Sequence, residues 1–190
     1  MLPKEYFIDN YHIEIKKITP GNELKDNWIK IQNSLSTTPF FLTWEWISTW
    51  ISAYKPDLIS VSASVNGHIV SIGLFTYSNH TRHGIIKSFQ LRLHQMGDLL
   101  QDQIWMEYND FISTDDHRIN AVNACLASLE NKEFKWDELI LSMMPLSRAV
   151  EISSKFVNAQ ITDINPCYSI QLDLIKQNHG NYLSLLKSNT

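Results

Sequence analysis

The amino-acid sequence predicts an α/β domain of the α+β kind, in which a mixed, mostly antiparallel β-sheet carries helices on both faces. Apolar and polar residues alternate along most of the predicted strands, which is typical of antiparallel sheets. Helices separate the later strands, so at least one connection must cross over the sheet. The chain has 190 residues, of which 44% are hydrophobic and 19% are charged, and this composition suits one compact core.

One strand and two helices are predicted in the first third of the chain. Residues 11–15 alternate between apolar and polar side chains, as a half-buried strand does. Residues 24–35 carry apolar side chains at helical spacing. A second helix begins after Thr43, a suitable N-cap, and places Glu45 in its first turn. Its apolar stripe consists of Trp44, Ile47, Ile51 and Tyr54.

A β-hairpin is the clearest pattern in the sequence. Residues 59–65 alternate apolar side chains with serines, and residues 69–77 form the returning strand. Between them, Asn66-Gly67 offers the two positive-φ positions of a type I′ turn. Residues 89–93 alternate in the same way and predict a further antiparallel strand.

The second half of the chain starts with a long loop and then alternates helices with strands. Residues 96–113 are polar, acidic and aromatic, and a loop of this length inside a compact domain is usually functional or locally structured. The other predicted elements are a helix over 114–129, a strand over 139–141, a helix over 145–156, and strands over 159–161 and 168–174.

Charge and cysteine content exclude several classes of protein. The formal net charge is −4 and the isoelectric point is about 5.9, so the basic surface of a duplex-binding protein is missing and we expect no nucleic-acid partner. The two cysteines are far apart and form no disulfide framework, which favours a cytoplasmic location. We find no signal-peptide pattern and no apolar run long enough for a membrane span.

Several catalytic and metal-binding motifs are absent from the sequence. There is no nucleophile elbow, no phosphate-binding Walker loop and no zinc-protease helix motif. His80 and His83 lie three residues apart, but no third ligand is nearby, so we expect no metal site. Cys125 lies beside the apolar stripe of its helix and is interpreted as a core residue rather than a nucleophile.

Three sequence patches resemble the CelD-like, FemAB-related branch of the GNAT (N-acetyltransferase) superfamily. Residues 38–46, Thr-Pro-Phe-Phe-Leu-Thr-Trp-Glu-Trp, followed by Trp50, resemble a Pro-Phe segment and a Trp-rich helix. Met96-Gly97 with residues 107–111, Glu-Tyr-Asn-Asp-Phe, resembles a Leu-Gly, Asp-Tyr-x-Asp-Leu segment. Residues 134–139, Phe-Lys-Trp-Asp-Glu-Leu, resemble the Trp-Asp-x-Leu start of the fifth strand. The predicted order of elements is also similar to that of the GNAT fold.

The resemblance implies an N-acyltransferase that works with a second domain. Members typically carry two GNAT-like halves, and the match places this chain on the N-terminal half. We therefore expect a GNAT-like domain over residues 1–175, and over residues 176–190 a linker or the start of a truncated second domain. The implied donor is acetyl-CoA or another acyl-CoA. The implied partners are a small-molecule amine acceptor and a second GNAT-like half, in cis or as a separate chain.

The chain departs from the family where the coenzyme should bind. A GNAT site has a glycine-rich loop between the fourth strand and the next helix, whose backbone N–H groups hold the coenzyme A pyrophosphate. Here Gly97 is the only glycine in that stretch, and six acidic residues would repel a pyrophosphate: Asp98, Asp102, Glu107, Asp110, Asp115 and Asp116. We expect the donor site to lie mainly in the other half.

The candidate catalytic residues lie together in the long loop. Glu107 and Asp110 are candidates for a general base that accepts a proton from the amine, although a solvated loop is the more ordinary explanation of both acids. Tyr108 is a candidate proton donor to the leaving thiolate, a role that the resemblance suggests. Trp46 and Trp105 are the candidate substrate-binding residues. Trp46 lies off the apolar stripe of its helix, so we expect its ring to line a cleft or an interface.

Two other functions fit the same sequence. A non-enzymatic GNAT-fold module could bind a protein through an open sheet edge, or through Trp46 and the acidic loop. A self-contained acyltransferase with an unusual donor loop is the third possibility, and it predicts that Glu107→Ala abolishes turnover.

Overall fold

A computed structural model describes residues 3–82, 84–104, 106–131, 135–166 and 172–177. The chain divides into two compact units, residues 1–159 and residues 160–190. In the second unit, residues 160–166 are irregular and one short helix is described. The domain boundary expected after residue 175 stays a prediction.

The described residues of the first unit form a seven-stranded sheet and four α-helices. The strands are β1 Lys4–Ile8, β2 Tyr11–Ile18, β3 Leu58–Val65, β4 His68–Arg82, β5 Ile86–Leu93, β6 Ile112–Ser113 and β7 Glu138–Ile140. The helices are α1 Asn22–Ser34, α2 Trp44–Tyr54, α3 Arg118–Leu129 and α4 Leu146–Ser153, and α5 Leu172–Gln177 is the helix of the second unit.

The sheet is mixed and mostly antiparallel, as predicted. Its strand order is β1-β2-β3-β4-β5-β7, and β6 pairs with β4. Every pairing is antiparallel except that of β5 with β7, which is parallel. The crossover between β5 and β7 contains the long loop, β6 and α3. This arrangement is consistent with a GNAT-like α+β fold.

Helices cover both faces of the sheet, because alternate strand residues bury apolar side chains on opposite sides. One core joins α3 and α4 to the sheet and includes Ile13, Ile15, Val61, Phe75, Leu91, Phe111, Val122, Leu126 and Ile152. The other core joins α1 and α2 to the sheet and includes Trp28, Ile31, Leu42, Ile47, Leu58, Ile72, Leu74 and Ile112.

The locally encoded elements form as the sequence predicts. Asn66 and Gly67 both have positive φ, 51° and 77°, which confirms the type I′ turn between β3 and β4. The side-chain oxygen of Thr43 accepts a hydrogen bond from the Trp46 N–H at 3.4 Å, which confirms the N-cap of α2.

The structure corrects the sequence prediction at both ends of the chain. Strand β1 was not predicted, and the two-residue turn at Asp9-Asn10 joins it to β2, with Ile8 opposite Tyr11. The predicted strand over 159–161 is irregular and exposed, because a short alternation forms no strand without a neighbour to take its backbone hydrogen bonds. The predicted strand over 168–174 lies outside the described residues up to 171, and its last residues belong to α5.

No helix in the described ranges combines the length and the hydropathy that a membrane crossing needs.

Candidate functional site

The parallel strands β5 and β7 end side by side, and the predicted catalytic loop returns to this point. The registers Gln90↔Glu138, Leu91↔Leu139 and Arg92↔Ile140 place their carboxyl ends together. In sheets with parallel strands, ligands bind in the crevice outside such carboxyl ends. This end of the sheet is therefore the candidate site.

Asn109 fills the space between the two strand ends. Its side-chain amide donates to the Leu93 carbonyl at the end of β5 (3.0 Å) and to the Ser142 carbonyl after β7 (3.1 Å). Its backbone N–H donates to the Met143 carbonyl at 3.1 Å. The residue is fully buried, so this one side chain takes the backbone acceptors that a ligand inserted between the strands would need.

His94 holds the other side of the Asn109 amide. The His94 Nδ1 donates to Asn109 Oδ1 at 2.9 Å, and Nε2 accepts the Leu74 backbone N–H at 3.2 Å. Because Nε2 must accept, the network assigns a neutral ring with its proton on Nδ1. Burial lowers the pKa of His94 to about 4, so the ring stays neutral near pH 7. The rings of Trp28 and Trp50 approach it edge-on.

Backbone strain is concentrated around Asn109. His94, Tyr108 and Met143 have left-handed φ values of 52°, 57° and 61°, a conformation that residues other than glycine rarely adopt. All three contact or adjoin Asn109. Left-handed residues persist only where surrounding contacts hold them. The Asn109 hydrogen bonds to the His94 ring and to the Met143 carbonyl are such contacts for two of these three residues.

The structure brings Glu107, Tyr108 and Asp110 into one turn but gives them different environments. Glu107 and Tyr108 are exposed. Asp110 is buried; its Oδ2 accepts from Arg148 Nε at 3.1 Å and from Arg118 Nη2 at 3.4 Å, and its Oδ1 accepts the Phe111 N–H at 2.8 Å. Arg148 is buried too. The Asp110 carboxylate thus joins the loop to α3 and α4, while Glu107 is open to a ligand.

Four backbone N–H groups of the loop after β5 donate to carboxylates of the same loop. The two carboxylate oxygens of Asp102 accept the N–H groups of Met96 and Gly97, both at 2.7 Å. The Oδ1 of Asp98 accepts those of Leu100 and Gln101 at 2.9 and 3.1 Å. The chain's own carboxylates therefore occupy the position in which consecutive N–H groups would otherwise bind an anion.

Of the two predicted substrate-binding tryptophans, only Trp46 lies within the described residues. Trp46 is half-buried and packs against Phe41 and Phe40, with ring centroids 4.7 and 5.5 Å apart. Its hydrogen bonds and ring contacts among the described residues do not include the turn at Glu107–Asp110. Trp105 lies outside the described residues.

Within the described ranges, no three His, Cys, Asp or Glu side chains lie close enough together to hold a metal ion. Cys125 is buried within the core, and burial raises the pKa of its thiol above the ordinary value, as in a structural cysteine. His83 of the histidine pair is outside the described residues.

The sequence did not indicate His94, Asn109, Asp102 or Arg148 as parts of one site. In the sequence, His94 follows the alternation of its strand as an outward-facing polar residue. Asn109 is one of several polar residues in an acidic loop. The one available signal was the length of that loop, which suggested local structure without naming the residues that form it.

Comparisons of the chain with protein-family models, with curated proteins and with solved structures gave no match.

Proposed function

We propose that this chain is the N-terminal, donor-site-lacking half of a GNAT-type N-acyltransferase of the CelD-like, FemAB-related kind. Together with a second GNAT-like half, in cis or as a separate chain, it transfers an acyl group from acyl-CoA to a small-molecule amine. The activity rests on the resemblance of the three sequence patches, and the GNAT-like sheet is consistent with it. A cytoplasmic location is part of the proposal, supported by the sparse use of cysteine.

One observation carries the claim that the donor site lies elsewhere: the backbone groups at the end of β5 are already used. Asp102 takes the N–H groups of Met96 and Gly97, and Asn109 takes the carbonyls of the two strand ends. A coenzyme A pyrophosphate at this loop would have to displace one carboxylate and approach others. The electrostatic cost opposes binding.

On the acceptor side, the proposal assigns roles to the exposed part of the same turn. Glu107, which is exposed, is the proposed general base that accepts a proton from the attacking amine, directly or through a water molecule. Tyr108 is the proposed proton donor to the leaving thiolate, a role that the resemblance suggests. Trp46 and Trp105 are the proposed apolar contacts of the acceptor. Asn109 and Asp110 hold the turn in place and are positioning residues.

Calorimetric titration of acetyl-CoA into the chain tests the donor part of the proposal. We expect no heat of binding up to about millimolar ligand, because the N–H groups of Met96 and Gly97 already donate to Asp102 and the nearby carboxylates repel a pyrophosphate. A micromolar dissociation constant would refute the claim and would favour a self-contained acyltransferase.

The transferase part needs a separate test with the second half present. We expect thiol release from acetyl-CoA in the presence of primary amines only when a GNAT-like second half, encoded beside this chain or within the same gene, is added. Glu107→Gln should lower turnover at least about tenfold. If no such segment is encoded there, the non-enzymatic interaction module becomes the better proposal.

A further inference from the structure

The loop between β5 and β6 exposes large apolar side chains. Leu99 is 91% exposed, Leu100 76%, Ile104 59% and Tyr108 50%, and all four lie within ten consecutive residues. Single exposed apolar residues are ordinary on a protein surface, but a concentration of them marks an interaction site. The loop is therefore a candidate contact surface.

This loop is held in its shape before anything binds. Asp98 Oδ1 accepts the N–H groups of Leu100 and Gln101, and the Asp102 N–H donates to the Asp98 carbonyl at 2.9 Å. Asp102 in turn ties the loop to Met96 and Gly97. The leucines are thus presented outward by a fixed backbone, and a partner pays little entropy to order it.

Charge indicates what kind of surface fits the loop. Residues 93–117 contain six acidic side chains and no lysine or arginine. Arg148 and Arg118 compensate Asp110 within this stretch, but Glu107 is exposed beside Tyr108. An apolar surface with a negative rim is repelled by anionic lipid and by nucleic acid, and it is complementary to a basic protein surface.

We propose that residues 98–104 and 107–108 form a docking loop for a protein partner that offers an apolar groove rimmed by lysine and arginine. The leucines enter the groove, and Glu107 contacts the basic rim. This inference goes beyond the acyltransferase proposal, because it requires no coenzyme, no acceptor and no turnover.

Selection from a phage-displayed library of random linear peptides tests the proposal. The probe is the library itself, panned against the whole chain and counter-selected against the double variant Leu99→Ser/Leu100→Ser. We expect enriched peptides that combine leucine or aromatic residues with lysine and arginine. A matched control is Ile85→Ser, which removes an 84% exposed isoleucine elsewhere on the surface. Thermal denaturation of all three proteins should agree, because the changed side chains are exposed.

Fluorescence polarisation with a selected peptide gives the deciding measurements. The double variant should weaken binding at least about tenfold, while Ile85→Ser should leave it unchanged. Glu107→Gln should weaken binding about two- to fivefold in low salt and by less at about 300 mM NaCl, where charge is screened. The proposal is overturned if the enriched peptides are acidic, if the double variant binds the peptide as tightly as the unchanged chain does, or if no peptide is enriched. Leucine-dependent dimerisation of the chain in sedimentation experiments, without peptide enrichment, would also overturn it by making a second copy the partner.

Discussion

Replacing Asn109 with alanine should destabilise the fold far more than an ordinary polar substitution. The change removes the hydrogen bonds to the Leu93 and Ser142 carbonyls and leaves the buried Nδ1–H of His94 without an acceptor. An orphaned buried donor costs about 1–3 kcal/mol, and each lost hydrogen bond costs about 1 kcal/mol. We therefore expect the free energy of unfolding to fall by about 4 kcal/mol.

Urea unfolding followed by tryptophan fluorescence measures this loss, because Trp28 and Trp50 lie against His94. With a urea slope of about 2 kcal/mol per molar, the midpoint should fall by about 2 M. Asn123→Ala on α3 is the matched control, because its buried Oδ1 has no hydrogen-bond partner among the described residues. It should cost less than about 1 kcal/mol. If Asn109→Ala costs no more than the control, Asn109 does not join the two strand ends.

Three further predictions concern the same region. Asp110→Ala should cost about 3 kcal/mol, because it removes the buried carboxylate that faces Arg148 and leaves only Glu151, whose Oε2 accepts from Arg148 Nη1 at 2.8 Å, as the counter-charge. Arg118→Ala, which removes the half-exposed partner, should cost less than about 1 kcal/mol in the same urea assay. His94 has a folded pKa of about 4, below its ordinary value of 6.5. The unfolded chain therefore binds more protons between these values, and stability, full above about pH 6.5, should be lost as the pH falls toward 4, by on the order of 3 kcal/mol. His94→Asn should remove that part of the pH dependence, and equal pH profiles for the two proteins would contradict the buried neutral ring. Gly97→Ala should lower stability by about 2–4 kcal/mol, because φ is 78° and the new Cβ would lie 2.5 Å from a serine hydroxyl. Gly67→Ala has a similar φ of 77° but open space around it and should cost about 1–2 kcal/mol by thermal denaturation; equal losses would contradict the close packing at the loop.

Much of the fold could be predicted because its signals are local. The alternation over 59–65 and 69–77, with Asn66-Gly67 between, defines a hairpin within twenty residues of chain. The Thr43 cap and the stripe of α2 likewise depend on residues three or four positions apart. Strand β1 was not predicted because its lysine and glutamate obscure the alternation of apolar and polar residues. Strand β6 was not predicted because two residues are too few to show an alternation.

The sequence indicated a loop that could carry a site, but not the contacts that its residues make. The length and the carboxylates of the acidic loop suggested a site, and Glu107, Tyr108 and Asp110 lie close together in it. Their environments could not be predicted, because burial of Asp110 depends on Arg148, which lies 38 residues further along the chain. A carboxylate that pairs with a buried arginine and one that faces solvent look the same in a sequence.

The sequence by itself determined the period of each main strand and helix, the turn at Asn66-Gly67 and the acidic, apolar character of the long loop. Only the tertiary structure decided that β5 and β7 lie parallel, that Asn109 joins their ends and that His94 is buried and neutral. The physical reason is the range of the interactions. Asn109 forms hydrogen bonds with residues 15 and 33 positions away in the chain. Such contacts form only when the strands have paired, so they produce no periodic pattern in the sequence.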